Sequence, residues 1–593
     1  MSKQLRQTWD LDTFFEGGSA SPALARHLDE LEQSVAALRQ RMSAGRIGDL
    51  ANDWAELLNA LEGVQAALGQ AGSFVGCLLA ANVKDRKARL LEGRISQVGA
   101  DMVSLFTLVD AQLLELSDEA FERILADDRI APIAFPVRER RTNAKRKMDP
   151  EKEILATDLS VDGYHAWSSL YDTVVGRMVV PVEIDGKVEE LSVGQANNKF
   201  YDPDRALRAK VFDKWENAWD RESEVIAGAL NHLAGYRLAL YKARGWDSFL
   251  YEPLAMNRMT EATLNAMWDA VWTAKDKMAQ FYNRKARLLG AEKMAWYDLS
   301  APVGTTTSKL SYDEAADFVT EQYGRFSPDM ADFARLAFRE HWVEAEDRPA
   351  KAPGAFCTGF TQSKVSRVFM TFGGDANSVR TLAHELGHAY HSHVMMDLPV
   401  MAQDYAMNVA ETASTFAEML INAAAIANAK SKEEKLALLD SKISDSGAYL
   451  MNIHARFLFE TRFYEARKKG MLGVDQLDDL METAQKEAYK NSLGVYHPHF
   501  WASKLHFYST GAPFYNFPYT FGYLFSSGIY ARAVEEGSKF AQRYVALLQD
   551  TGRMTVEELA SRHLGVDLTK PDFWLTGVNM ALKDVDEFLS LTE

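Results

Sequence analysis

Two cysteines among 593 residues, Cys77 and Cys357, cannot build a disulfide framework, so packing and hydrogen bonds must hold the fold. That scarcity fits a reducing compartment such as the cytoplasm. Long apolar runs are also missing. Nothing reaches the roughly 18 residues of a membrane-spanning helix, and the nearest stretch, 420–429, is interrupted by Asn422 and Asn428. The first fifteen residues carry charges where a secretory signal needs an apolar segment. Positive charge is in deficit: 66 Lys and Arg against 83 Asp and Glu give a net −17, which disfavours nucleic acid or an anionic membrane as partner. Internal repeats and low-complexity tracts are absent from the sequence. These absences leave a soluble cytoplasmic protein, long enough for more than one packed unit.

What is present is mostly helix. Ser21-Pro22 supplies an N-cap and a first-turn proline, after which Leu24, Leu28, Leu31, Val35, Leu38 and Met42 recur at helical spacing. Similar stripes run through 54–68 and 90–116, and helical periodicity returns over 202–285. Between them, 174–180 and 182–191 are rich in β-branched residues, and Asp185-Gly186 in the second predicts a type I′ hairpin. The basic stretch 138–147 reads as solvated surface. Four glycines punctuate 351–374, and 367–372 within it reads as a short strand whose edge is suited to pairing with an extended peptide. The prediction is a mainly α chain divided into 1–200, a helical N-terminal domain with a hairpin near 174–191, and 201–593. A small sheet lies just before the chain's most informative motif.

That motif is His384-Glu385-Leu386-Gly387-His388. Residues four apart share a helix face, so both imidazoles reach one metal ion, and the glutamate between them is placed to deprotonate a metal-bound water. Asn377 or Ser378 is positioned to cap the helix, and Leu382, Leu386, Ala389 and Tyr390 give it an apolar side. Catalytic zinc takes three protein ligands and leaves one position open. His391 is a candidate third ligand, but a second helix offers a better one. Leu398-Pro399 ends the first helix, Asn408 is a cap for another starting at Val409, and Glu411 falls in its first turn. Asp397 and Asp404 lie in the connecting loop, a less rigid platform. The ligand set is therefore His384, His388 and Glu411, holding one Zn2+ per chain. Ser414, Thr415 and Glu418 share the face of Glu411, so one of them can accept the second ring N–H of a ligating histidine. Metzincins need glycine where His391 stands and histidine at Val394, while thermolysin-like spacing would place the ligand near Met407 or Asn408.

The extended motif Thr381-Leu-Ala-His-Glu-Leu-Gly-His-Ala-Tyr-His391, with Glu411-Thr-Ala-Ser-Thr-Phe-Ala-Glu418, resembles the M3 family of zinc metallopeptidases, and more narrowly its oligoendopeptidase F branch. Trp9-Asp-Leu-Asp-Thr-Phe-Phe15, His506-Phe-Tyr508 and Phe514-Tyr-Asn-Phe-Pro-Tyr519 agree with it. The resemblance implies a helical ellipsoid split by a deep channel, with the zinc on its wall and 201–593 as the catalytic domain. It also implies cleavage of internal bonds in short, unstructured oligopeptides, with Glu385 as the base. From the aromatic segment 496–525 it implies His506, Tyr515 and Tyr519 as substrate clamp and oxyanion donors, with Tyr508 and Tyr523 as rivals. Two other readings stand beside an endopeptidase. A carboxypeptidase or dipeptidase variant needs a cationic anchor for the substrate C-terminus, and a non-catalytic peptide-binding protein would have no use for Glu385. Oligomeric state has no signature in the sequence.

Overall fold

The computed structural model describes residues 4–304 and 309–593. Helices dominate because the apolar stripes find partners. In the first helix, Pro22–Ala44, Ser21 Oγ accepts from Leu24 N, and all six predicted stripe residues are buried. They pack against the helices Ala51–Ala81 and Arg86–Glu115. Contrary to the reading that no segment reaches spanning length, Ala51–Ala81 is by length and mean hydropathy apolar enough to cross a membrane, although polar residues interrupt it. Trp54, Leu57, Leu61 and Phe74 on it are completely buried in this bundle. Neither cysteine is paired, and Cys77 lies inside the same core.

Two hydrophobic cores result. One is built from residues between Trp9 and Val137, and the other runs from Tyr164 to Phe588. Phe360, Phe369, Met401 and Ala402 cross over into the first core, so the segment around the motif helix is docked on the N-terminal bundle. Ser73 Oγ donates to Gly359 O at 2.8 Å, and Gln70 Nε2 to Ser363 Oγ at 2.8 Å, fixing that dock.

Three expectations need correction. The hairpin pairs Val179–Ile184 with Lys187–Ser192, and positive φ at Asp185 and Gly186 supplies the predicted turn. Residues 174–177, however, end the helix Ala166–Arg177, because Tyr171 and Val174, three apart, are buried together in the second core. Burial at helical spacing overrides the β-propensity of the valines. The strand expected over 367–372 is Val365–Phe369, and it is the middle strand of three, not an edge. It runs parallel to Val343–Glu344 and antiparallel to Phe356–Phe360, which take the edges. Finally, the basic stretch is not uniformly solvated. Arg141 is buried, donating to Leu113 O and Leu116 O and pairing with Asp118.

The tryptophan-led opening motif closes the other side of the sheet. Trp9 N donates to Glu344 Oε2, the Phe14 ring stacks on Phe360, and Asp10 O accepts from the buried Arg367. The sheet in turn packs against the helix Ala376–Met395, which carries the motif.

Candidate metal centre and active site

The motif helix begins two or three residues earlier than the sequence suggests. Asp375, not Asn377 or Ser378, is its cap, accepting from Ser378 N at 2.7 Å. Ser378 Oγ instead donates to Asp375 and accepts from Gly373 N, which ties the sheet's exit to the helix start. Leu382, Leu386, Ala389 and Tyr390 form the predicted buried side.

His384 Nε2 and His388 Nε2 lie 3.2 Å apart, and each is 3.4 Å from Glu411 Oε2. Among the described residues these three form the one group of metal-ligating side chains so convergent, with their ligand atoms all within 4.8 Å. His384 Nδ1 is hydrogen-bonded to the Glu418 carboxylate, an acceptor only, so Nδ1 carries the proton and Nε2 presents a lone pair. Lone pairs from two imidazoles and a carboxylate aimed at one point repel unless a cation sits there, and that donor set suits a divalent metal. Without a metal the same negative surroundings favour a proton in the cation's place. Burial would lower the pKa of His384, but the Glu418 hydrogen bond and the charges of Glu418, Glu411 and Glu385 raise it to about 9. Burial would raise that of Glu411, but His388, His384 and Ser414 hold it at about 2.

Glu411 reaches this point differently from expectation. It sits at a break between the short helix Met407–Ala410 and the helix Thr412–Ala427, not inside a first turn. Asn408 is no cap; it is fully buried, its backbone N–H and side-chain amide donating to Asn257 Oδ1 and Asn257 O. Ser414 Oγ donates to Glu411 Oε2 at 2.8 Å. The Thr412–Ala427 helix comes close only because position 387 lacks a side chain: a Cβ there would stand 2.7 Å from both Ala413 O and Ser414 Cα. Gly387→Ala is therefore expected to push the Glu411 helix outward, costing about 1–3 kcal/mol of stability and weakening metal binding together. Calorimetric unfolding and metal titration read the two effects, and an unchanged affinity would show that Glu411 is held independently of this contact.

Glu385 is 5% exposed, its Oε2 has no hydrogen-bond partner, and burial raises its pKa. A buried carboxylate oxygen with no protein partner is free to accept a hydrogen bond, and then a proton, from a water. A cavity of about 310 Å³ opens beside it, lined among others by Arg380, Glu418, Asp445, Tyr449 and Tyr523. Sequence reasoning missed Arg380, Asp445 and Tyr449. They come from three different helical segments, so no local spacing reveals them.

The remaining candidates divide. His391 is completely buried against Thr551 Oγ1 at 2.9 Å and stacked on Tyr405, and burial lowers its pKa to about 3; it is not a ligand. His393 packs on Phe333, and Asp397 pairs with Lys364 at the surface. His506, Tyr515 and Tyr519 form a single ring cluster, with centroids 4.8 to 6.0 Å apart. The pKa of Tyr519 is raised by burial, then by Tyr515 and by the charge of Glu411. Tyr508 is committed elsewhere, its hydroxyl on Trp501 O and its ring on Tyr171. Tyr523 bonds Ser446 at 2.8 Å from within the cavity wall. His497 and His499 flank Glu216, which they hold at a pKa of about 2 against the effect of burial.

Comparison with known proteins agrees with this geometry. The sequence model described as Peptidase family M3 matches residues 199–580. The chain belongs to peptidase family M3. A second family model, Oligopeptidase F, matches residues 112–179. An oligoendopeptidase F homolog of Lactococcus lactis subsp. lactis is 19% identical over 95% of this chain and 94% of its own length. Oligopeptidase PepF of Bacillus subtilis is 19% identical over 98% and 87%. Among solved structures, the oligoendopeptidase-F of Enterococcus faecium superposes with a TM-score of 0.69 at 16% identity, covering 96% of this chain and 97% of that one. A Chlamydophila abortus structure reaches 0.85 at 20% identity, covering 99% and 100%. This M3 chain is thus a metallopeptidase of the oligopeptidase F type, with the mainly helical fold its residues predict.

Proposed function

We propose that this M3 peptidase is a zinc-dependent endopeptidase that hydrolyses internal bonds of short, unstructured oligopeptides in the cytoplasm. The observation that carries the reading is the convergence of His384, His388 and Glu411 at 3.2 to 3.4 Å beside the unpaired Oε2 of Glu385. His384, His388 and Glu411 would hold one Zn2+, which supplies Lewis acidity and a water more acidic than bulk. Glu385 would take the proton of the attacking water and pass it to the leaving amine nitrogen. Tyr515 and Tyr519 have hydroxyls to offer the developing oxyanion, and His506 lies in the same cluster as a substrate clamp. The catalytic unit is assigned to 201–593, with 1–200 as its helical companion.

Glu418 orients His384 through Nδ1. Glu418→Ala is expected to weaken metal affinity roughly 10- to 100-fold, the usual effect of losing such a partner. Competition with a chromogenic chelator measures it, and an unaltered affinity would show that His384 needs no orienting carboxylate.

The test of function is a quenched fluorescent peptide blocked at both ends. Internal cleavage is expected, stopped by chelation and restored by zinc. Cleavage confined to peptides with a free C-terminus would favour the carboxypeptidase variant, and binding without cleavage would favour a peptide-binding protein. Cleavage that survives complete metal removal would sink the metal reading.

A further inference from the structure

His506 is held from one edge of its ring only. Its Nδ1 lies 2.8 Å from Asn516 Oδ1, and the same oxygen accepts from Arg456 Nη1 at 2.9 Å. A guanidinium has donors and no acceptor, so the Asn516 atom facing Arg456 has to be the carbonyl oxygen. The reversed amide would set N–H against N–H. An oxygen fixed in this way also accepts from His506, which places the ring proton on Nδ1. Asn516 is 1% exposed and its Nδ2 has no hydrogen-bond partner, so no competing contact favours the reversed amide. The opposite ring nitrogen, Nε2, makes no hydrogen bond among the described residues and is not sealed from solvent. Burial, then the nearby charges of Lys504 and Arg456, lower the His506 pKa to about 4, so the ring is neutral at pH 7. A neutral imidazole with its proton on Nδ1 has only a lone pair at Nε2.

We propose that Asn516, oriented by Arg456, locks His506 in the Nδ1–H tautomer, so that Nε2 accepts a backbone N–H of the bound peptide and gives no hydrogen bond to the oxyanion. The proposal rests on the peptidase reading above and divides the labour of the ring cluster. His506 grips the peptide, and the donors left for the oxyanion are the hydroxyls of Tyr515 and Tyr519, whose rings lie 4.8 and 6.0 Å from it. Asn516 and Arg456 are positioning residues that act through His506.

The first arm of the test is nitrogen NMR of the zinc-loaded protein labelled with 15N-histidine, its His506 signals assigned by their loss in His506→Phe. Expected are a protonated Nδ1 and an unprotonated Nε2. The reverse tautomer, or an imidazolium at pH 7, overturns the proposal. Asn516→Asp keeps an acceptor facing both donors and should retain the signature, whereas Asn516→Leu should lose it. The second arm measures binding of an end-blocked peptide to zinc-loaded Glu385→Gln protein, with each backbone N–H replaced in turn by an ester oxygen. One position is expected to weaken binding roughly three- to tenfold, the effect of one hydrogen bond, and to lose that penalty in the His506→Phe background. Binding with no such coupled position overturns the pairing alone, while absence of peptide binding overturns the pairing and the peptidase reading together.

Discussion

Glu385→Gln is expected to lower kcat for an end-blocked peptide by roughly 10²- to 10⁴-fold, the range spanned by a positioned acid–base group. KM and bound metal should stay nearly as they are. Glutamine keeps the shape and the hydrogen-bonding reach of Glu385 but cannot carry a proton from water to amine. The environment suits the native residue to both halves of that task. Its Oε2 has no protein partner to give up before it can meet a water, and burial raises its pKa, so it holds a captured proton more firmly than an exposed glutamate. The charges of His384 and His388 act in the opposite direction. Steady-state kinetics of the purified variant, with metal content measured on the same sample, separates the roles. A raised KM with kcat intact would show that Glu385 only holds substrate, and loss of zinc would show that it supports the ligands.

The parts of this site that were legible in the sequence are those fixed by local periodicity. Two histidines four apart on an amphipathic helix must share a face, and a carboxylate on the next helix is within reach of them. The six-residue stripe of the first helix is legible for the same reason. What was misread depends on partners distant in the chain. The helix break at Glu411 follows the anchoring of Asn408 on Asn257, 151 residues away. Whether Val365–Phe369 is a central or an edge strand depends on Val343–Glu344, a two-residue strand with no pattern of its own. Tyr508 and Tyr515 look equivalent in an aromatic run. A hydrogen bond to Trp501 and a stack on Tyr171 take the first out of consideration, while the second joins His506 and Tyr519.

Glu411→Ala is the other large effect. Removing one of three ligands should cost more than the roughly 10- to 100-fold loss expected for an orienting partner such as Glu418, so the variant should emerge from dialysis nearly free of zinc and inactive. A second consequence is visible without metal. In the metal-free protein Glu411 is the counterion of His384 and His388, and its folded pKa of about 2 lies below the ordinary 4.5. A carboxylate with a depressed folded pKa contributes stability above its unfolded pKa, and that contribution is lost as pH falls through the folded one. Metal-free wild type should therefore unfold at higher temperature than metal-free Glu411→Ala at pH 7, with the gap closing between about pH 4.5 and pH 2. Two independent readings follow from one substitution. Zinc stoichiometry tests Glu411 as a ligand, and the pH dependence of the Tm difference tests it as the charge partner of the two histidines. Retention of one zinc per chain after dialysis would refute the ligand assignment. A Tm gap that widens as pH falls below about 4.5 would contradict the ion pairing, because it would require Glu411 to stabilise the fold in its protonated form.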